Sequence, residues 1–281
     1  MEAYIDLHVH SNCSDGTFAP EELVSYARKK GLQAFALTDH DTVTGVARAA
    51  DAAAGTGLTV IPGVELSSDY QKRDIHILGL GIDAENRKFL KYLEEFQSAR
   101  EIRNHKMMKK LAQRGIPINE EVMETVFPGC VWTRAHFARF LKDRGFVRTM
   151  EEGFQKYVGD EAPCFVPKEQ IPPWEAVRLI LECGGHPVLA HPLLYRLSSR
   201  ELEKLVDLLC GSGLQGLEAI YSSNRFSEES SMKQLAKRHG LCVTGGSDFH
   251  GSNKPDIDLG IGKGNLKIPY SLWESLSRRA M

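Results

Sequence analysis

The sequence predicts an α/β fold in which about seven β/α units close into a barrel, near a (β/α)8 arrangement with one unit missing or distorted. Three observations carry this. Short apolar runs alternate with helical patterns in both halves of the chain, the alternation stops over residues 98–168, and a His, Asp or Glu follows nearly every predicted strand. A length of 281 residues suits one large domain with an insertion better than two complete domains of ~150 residues each.

In chain order, Tyr4-Ile5-Asp6-Leu7 opens as a strand, Pro20-Glu21-Glu22-Leu23 starts a helix that Gly31 ends, and Ala34-Phe35-Ala36-Leu37 is a second buried strand. The unit repeats with an Ala-rich helix from Thr44 to Ala54, a strand at Leu58-Thr59-Val60-Ile61-Pro62 and another over Ile75–Leu80. Strands separated by helices imply parallel pairing with right-handed crossovers. From Phe89 a long helix runs to Gln113, followed by helix starts at Asn119-Glu120-Glu121 and after Thr133, with no strand before about Phe165. The division is therefore a barrel of residues 1–97 and 169–281 and a helical insertion, or cap, of residues 98–168. Alternation then resumes: helix Trp174–Cys183, strand Pro187–Ala190, helix Ser199–Cys210, strand Gly216–Ile220, helix Glu228–His239 and strand Leu241–Thr244.

Composition narrows the class. With 42% hydrophobic and 26% charged residues and no apolar stretch of the ~18 residues a membrane span needs, the chain reads as a soluble globular protein with no membrane partner. Thirty-five basic against 37 acidic side chains give a net charge of −2, so bulk charge does not point to a polyanion binder, and an acidic substrate must be held locally. The start Met1-Glu2-Ala3-Tyr4-Ile5-Asp6 lacks the basic and apolar regions of a signal peptide, and the 6 cysteines show no CxxC or other paired spacing. A cytoplasmic location is expected, without a disulfide framework or a thiolate metal site.

The chemistry-bearing residues fall where a barrel puts its active site, at the C-terminal ends of strands. His8 and His10 follow the first strand, Asp39-His40-Asp41 the second and Glu65 the third; His76 lies within the next, His191 follows Val188-Leu189-Ala190, and Asp248 and His250 follow the last. Residues i and i+2 of a strand project to one side, so His8 and His10 can bind one ion. A lone strand histidine is usually a packed or surface group, but the joint placement reverses that reading. With Asp15 there are nine candidate ligands, His8, His10, Asp15, His40, Glu65, His76, His191, Asp248 and His250, more than one catalytic site uses. Two or three divalent ions are needed to employ them all. Imidazole and carboxylate donors suit a borderline divalent ion, and the absence of cysteine points away from structural zinc; manganese is expected, with zinc or iron, which the same donors serve, as alternatives. A multi-metal cluster of this kind suits hydrolysis of phosphate esters.

Asp6-Leu7-His8-Val9-His10-Ser11 with Ser14-Asp15-Gly16, Thr38-Asp39-His40-Asp41, Pro62-Gly63-Val64-Glu65, His76-Ile77-Leu78-Gly79, Ala190-His191-Pro192 and Gly246-Ser247-Asp248-Phe249-His250-Gly251 resemble, in order and across nearly the whole chain, the motifs of the polymerase and histidinol phosphatase (PHP) family. The chain is most similar to its bacterial nucleotide branch, whose members remove the 3′-phosphate of nucleoside 3′,5′-bisphosphates or trim RNA from the 5′ end. The resemblance implies a distorted (β/α)7 TIM-like barrel with a helical cap domain and a trinuclear centre. By motif, His8, His10, Glu65 and Asp248 hold a first metal, Asp15, His40 and His250 a second, and Glu65 bridges to a third held by His76 and His191. The same resemblance implies that a metal-bound hydroxide, kept in place by the first seven of these residues, would attack phosphorus in line. Asp39 and Asp41 orient ligating imidazoles.

The insertion carries eleven basic residues between 100 and 148 against five acidic ones. Trp132-Thr133-Arg134-Ala135-His136 stands at a predicted helix start, a favourable place for a phosphate, and is similar to the Thr-Arg-Pro-His stretch of the nucleotide branch. Arg134 and His136 are therefore candidate phosphate contacts, joined by Arg103; Arg100, Lys106, Lys109 and Lys110 read as a solvated helix face. Where the branch shows Gly-Arg-Tyr, this chain has Leu193-Leu194-Tyr195-Arg196, so Arg196 either replaces that arginine or faces water. The expected substrate is a small phosphorylated molecule, a nucleoside 3′,5′-bisphosphate such as adenosine 3′,5′-bisphosphate, with short RNA, cyclic phosphates or histidinol phosphate as alternatives and no obligate protein partner. A non-catalytic metal-binding module would have lost ligands, yet all nine positions are filled. Metal-dependent amide hydrolysis usually calls for a carboxylated lysine or a two-metal site, and no lysine follows a barrel strand.

Overall fold

The computed structural model describes residues 4–167 and 171–279. The chain folds in the order β1 (Ile5–Val9), α1 (Pro20–Lys29), β2 (Ala34–Leu37), α2 (Thr44–Ala53), β3 (Thr59–Tyr70), β4 (Arg73–Leu80), α3 (Arg87–Ala112), α4 (Glu120–Val126), α5 (Arg134–Asp143), α6 (Met150–Gly153), α7 (Pro173–Glu182), β5 (His186–Leu189), α8 (Ser199–Cys210), β6 (Gly216–Tyr221), α9 (Phe226–Arg238), β7 (Cys242–Gly246) and α10 (Ser271–Ser277). A π-helical turn, Phe154–Val158, continues α6. Local chemistry sets these bounds. Pro20 opens α1 and the Glu22 carboxylate accepts the Ala19 N–H at 2.7 Å, while Ser198 and Glu201 cap α8 reciprocally.

The seven strands pair in sequence order, β1 to β7. The ring closes where the Asp248 N–H donates to the His8 carbonyl at 2.9 Å and the His10 N–H to the Phe249 carbonyl at 3.0 Å. β1, β2 and β5 are buried along their whole length, as strands covered on both faces must be. The architecture is the distorted seven-stranded barrel that the sequence predicts.

One expectation fails. Not all strands are parallel: β4 runs antiparallel to both β3 and β5. β3 continues past Pro62-Gly63 for 12 residues in all and turns into β4 through Gln71 and Lys72, both at positive φ (55° and 65°). That is the turn geometry whose twist matches a two-residue hairpin, here without the Asn or Gly that normally signals it. The reversal brings the start of β4, rather than its end, to the face where the parallel strands end. His76 reaches that face for this reason.

The apolar interior has two parts. Around the strands lie Ile5, Leu7, Phe35, Leu66, Ile77 and their neighbours; a second core of Met107, Leu111, Met123, Phe137, Phe140 and Val158 belongs to the helical segment. Each fully buried side chain of this size contributes roughly 1.5–3 kcal/mol. α3 belongs to both, with Phe89 and Leu93 in the barrel core and Met107, Met108 and Leu111 in the second. The border expected between residues 97 and 98 thus falls inside a continuous helix. The border expected at 168 and 169 lies outside the described residues.

The two parts are tied by polar contacts near the barrel mouth. Gln97 donates to the Asp41 carbonyl at 3.0 Å, Arg100 pairs with the Asp41 carboxylate and donates to Ser67 Oγ at 3.1 Å, and the Val131 N–H donates to the Cys13 carbonyl at 3.2 Å.

Candidate metal centre

All nine candidate ligands converge at the barrel mouth. His8 in β1 and His10 just past its end lie side by side, their Nε2 atoms 3.1 Å apart. The backbone around them leaves no room for side chains. A Cβ on Gly246 of β7 would stand 2.2 Å from His8 Cβ, and one on Gly16 would stand 2.3 Å from the His10 carbonyl oxygen.

Glu65 is the hub. Its Oε2 lies 3.3 Å from His8 Nε2, 3.1 Å from His10 Nε2 and 3.2 Å from His40 Nδ1; its Oε1 lies 2.8 Å from His76 Nδ1 and 2.9 Å from His191 Nε2. Asp15 meets His250 Nε2 at 3.2 Å, and Asp248 Oδ1 lies 3.5 Å from His10 Nε2. The donors form four overlapping groups, His10/Asp15/His40/His250, His8/Glu65/His191, His8/His10/Asp248 and His40/Glu65/His76, with ligand atoms of each group within 4.8 Å of one another. Two of the donors hold unusual backbone: His191 has φ 25° and Asp248 φ 58°. Such conformations are costly outside glycine and collect at functional sites.

The electrostatics follow from crowding in a dry site. Burial alone would raise the Glu65 carboxyl, but the imidazoles of His40, His76 and His8 and the bond from His10 hold it well below the usual range. Asp15 and Asp248 are likewise held down against burial, the first by His40 and His250 and the second by Lys254, His250 and His8. Burial and the neighbouring His250 pull His10 down to about 3, so its ring is neutral, the form that ligates metal. His76 goes the other way, to about 10, because Glu65 and Asp74 outweigh burial. Among the described residues, the buried Nδ1 atoms of His10 and His191 have no hydrogen-bond partner. A donor set of nitrogen and carboxylate oxygen only, with orphaned imidazole nitrogens, fits divalent cations.

Residues behind the donors hold them in place. Glu218 of β6, fully buried, lies 3.0 Å from His8 Nδ1 through Oε1 and accepts the His191 N–H at 2.7 Å through Oε2. Asp248 Oδ2 accepts from Tyr221 Oη at 2.7 Å and Lys254 Nζ at 2.6 Å, and Asp74 lies 3.5 Å from His76 Nε2. Sequence reasoning passed over Glu218. Its signal is a lone acid in the otherwise apolar run Gly216-Leu217-Glu218-Ala219-Ile220, since a buried carboxylate must be paired.

Asp39 and Asp41 do something other than expected. Asp39 accepts from the Ser11 N–H (2.8 Å), Ser11 Oγ (2.6 Å) and Ser14 Oγ (2.5 Å), which shapes the loop carrying Asp15. Asp41 accepts from the Ser67 N–H at 2.9 Å and pairs with Arg100. These carboxylates hold the loops that present ligands, and Glu218 and Asp74 contact the imidazoles of His8 and His76.

A cavity of about 450 Å³ opens from Asp15, His40 and His76 toward Arg100, Arg103 and Arg134 of the helical segment. Arg134 pairs with Asp74 at 3.3 Å and with Asp160. Arg103 is 5% exposed, and its Nε and Nη2 have no partner. Burial, then Arg100 and Arg134, pull it down to about 9, still cationic at neutral pH. The other two expected phosphate contacts stand elsewhere. His136 is buried, with Nδ1 accepting the Thr133 N–H at 2.9 Å and Nε2 3.6 Å from Cys130 Sγ, so it caps α5. Arg196 is exposed on the turn after His191, at φ 53°. Thr133, which the sequence did not single out, both caps α5 and donates to Asp15 Oδ2 at 3.0 Å.

The family model for the PHP domain matches residues 6–157, more than half of the chain. The chain belongs to the PHP domain family. This PHP protein is 34% identical to the 3′,5′-nucleoside bisphosphate phosphatase of Chromobacterium violaceum, over 99% of its own length and 98% of the relative's. It is also 34% identical to a 5′-3′ exoribonuclease of Escherichia coli, over 96% of its own length and 93% of that protein's. Among solved structures, a protein of C. violaceum described as an amidohydrolase, with bound sulfate and no metal, superposes with a TM-score of 0.85 at 35% identity over 92% of this chain and 90% of that one. A metal-dependent phosphoesterase of Bifidobacterium adolescentis gives 0.88 at 29% identity over 99% and 97%. The PHP protein is accordingly a metal-dependent phosphoric ester hydrolase. No helix among the described residues is long and apolar enough to cross a membrane.

Proposed function

We propose that this PHP phosphoesterase removes the 3′-phosphate from nucleoside 3′,5′-bisphosphates, with two or three divalent ions, manganese before zinc or iron, in its donor cluster. The observation that carries the reading is the single cavity joining Asp15, His40 and His76 to Arg103 and Arg134. A substrate with two phosphates needs both ends of it, one at the donors and one at the guanidinium groups.

His8, His10, Glu65 and Asp248 would hold one ion, Asp15, His40 and His250 a second, and His76 and His191 with Glu65 a third. When bound, these ions supply Lewis-acid activation of water and neutralise the charge gathering on phosphorus. The chain's own residues do the rest. Glu65, touching five imidazoles, fixes the spacing of the donor groups. Arg103 offers N–H groups with nothing else to bind. Arg134 exchanges Asp74 and Asp160 for the second phosphate, a charge-assisted swap that also orients the ester.

The exoribonuclease relatives support a second reading, trimming of short RNA from the 5′ end. A phosphate-release screen of the manganese-loaded protein separates the two. Nucleoside 3′,5′-bisphosphates should be turned over faster than nucleoside monophosphates, 5′-phosphorylated RNAs, cyclic phosphates and histidinol phosphate. Faster release of nucleotides from RNA than of phosphate from bisphosphates would select the second reading.

A further inference from the structure

Beyond His250 the chain makes a single 3₁₀ turn, Gly251–Asn253, that contributes no donor to the centre. It is seated on the loop that carries Asp15. The Ser252 N–H donates to Thr17 Oγ1 at 3.0 Å, and a Cβ on Gly251, where φ is 61°, would stand 2.2 Å from the same oxygen. Glycine permits so close an approach.

Asn253, half-buried, then spans two parts of the molecule. Its Nδ2 donates to the Asp15 carbonyl at 2.7 Å, and its Oδ1 accepts from Arg139 Nη1 of α5 at 3.1 Å. A carbonyl only accepts and a guanidinium only donates, so this pair of partners calls for an amide between them. Arg139 is itself held in place. Its guanidinium carbon lies 5.9 Å from the centre of the Phe127 ring, and its Nε donates to Asp143 at 3.4 Å. The next residue, Lys254, donates to Asp248 Oδ2 at 2.6 Å. One short stretch of chain thus touches Asp15 and Asp248, which belong to different donor groups, and the helical segment as well.

We infer that Asn253 is a positioning residue that, together with Arg139, sets the Asp15 loop against the helical segment, so that the seating of this segment is felt at the metal centre. It acts through the Asp15 backbone and leaves the carboxylate to its own partners. The inference rests on the donor cluster proposed above to hold metal and is independent of the substrate.

The test is manganese affinity, measured by competition with a chromophoric chelator on the full-length protein stripped of metal, for the wild type, Asn253→Ala, Arg139→Ala and the double variant. Each single substitution should weaken binding about tenfold, the lower end of the range for groups that hold ligands in place, and the double variant should lose no more than the larger single loss. Arg144→Ala removes another guanidinium of the same helix end, stacked 5.4 Å from the Phe140 ring centre, and should leave the affinity at the wild-type value. Thermal melting reports that each variant folds. Affinities within about twofold of the wild type for both single variants would overturn the role, as would losses that add in the double variant or an equal loss in Arg144→Ala. Wild-type protein that takes up no manganese would instead overturn the donor cluster, and the positioning role with it.

Discussion

Glu218 and His8 meet at 3.0 Å beneath the metal centre, and the other oxygen of the same carboxylate holds the His191 backbone at 2.7 Å. One buried group thus fixes the tautomer of one donor and the position of another. Glu218→Gln offers one acceptor oxygen where two are used, and should weaken divalent-metal affinity about 10- to 100-fold. Competition titration against a chromophoric chelator measures this. An affinity equal to the wild type would mean that packing alone holds His8.

His10→Ala and Asp248→Ala should each abolish phosphate release while leaving circular dichroism near the wild-type spectrum, because each removes one donor from a site whose walls stay intact. Normal turnover by either variant saturated with metal would remove it from the centre.

Arg134→Ala and Arg103→Ala should raise KM for bisphosphates by roughly ten- to a hundredfold, as expected for loss of a charge-assisted contact of about 1.5–3 kcal/mol. Monophosphates should be affected much less. Equal losses on both substrate classes would place these arginines in the scaffold.

Metal removal should lower Tm, since like-charged carboxylates and crowded imidazoles then face one another unscreened, and readdition should restore it in a concentration-dependent way. Saturation at a hundred times Kd corresponds to about 2.7 kcal/mol. A melting curve indifferent to chelator would show that the cluster folds without help from cations.

Away from the centre, Asp258 accepts from Tyr26 at 2.7 Å and pairs with Lys30. Burial opposes its ionisation, but these partners hold its carboxyl below the usual value. The stability this contributes is fully present above the unfolded value of about 3.9 and is lost as pH falls through the lowered folded value. The difference in Tm between wild type and Asp258→Asn should therefore be constant from pH 7 to about 5 and shrink in stronger acid. A difference that grows with acid would contradict the pairing.

Much of this was legible in the sequence because barrel strands end where their chemistry begins, so Leu7-His8 and Ala190-His191 announce both element and site. The β3–β4 hairpin was hidden because Gln71-Lys72 takes up positive φ without glycine, and the run through Pro62-Gly63 reads as a strand end while the backbone continues. Asp39, Asp41 and Glu218 were hard to rank because a motif records which residue types stand side by side in the chain, whereas their partners Ser14, Arg100 and His8 lie 25, 59 and 210 residues away. His136 is ambiguous in the sequence for a similar reason. A histidine at the third position of a helix serves the helix cap as readily as a ligand.

α3 carries a consequence of its own. It is anchored in the barrel by Phe89 and Leu93, and it presents Arg100 and Arg103 further along the same rod. Deleting one residue between Leu93 and Arg100 turns everything beyond it by about 100° and draws it in by about 1.5 Å. Both guanidinium groups would leave the cavity together, and the second core would follow. Exchange of helical segments between relatives is therefore a problem of phase: a transplanted segment works only if its helix keeps count with the barrel's.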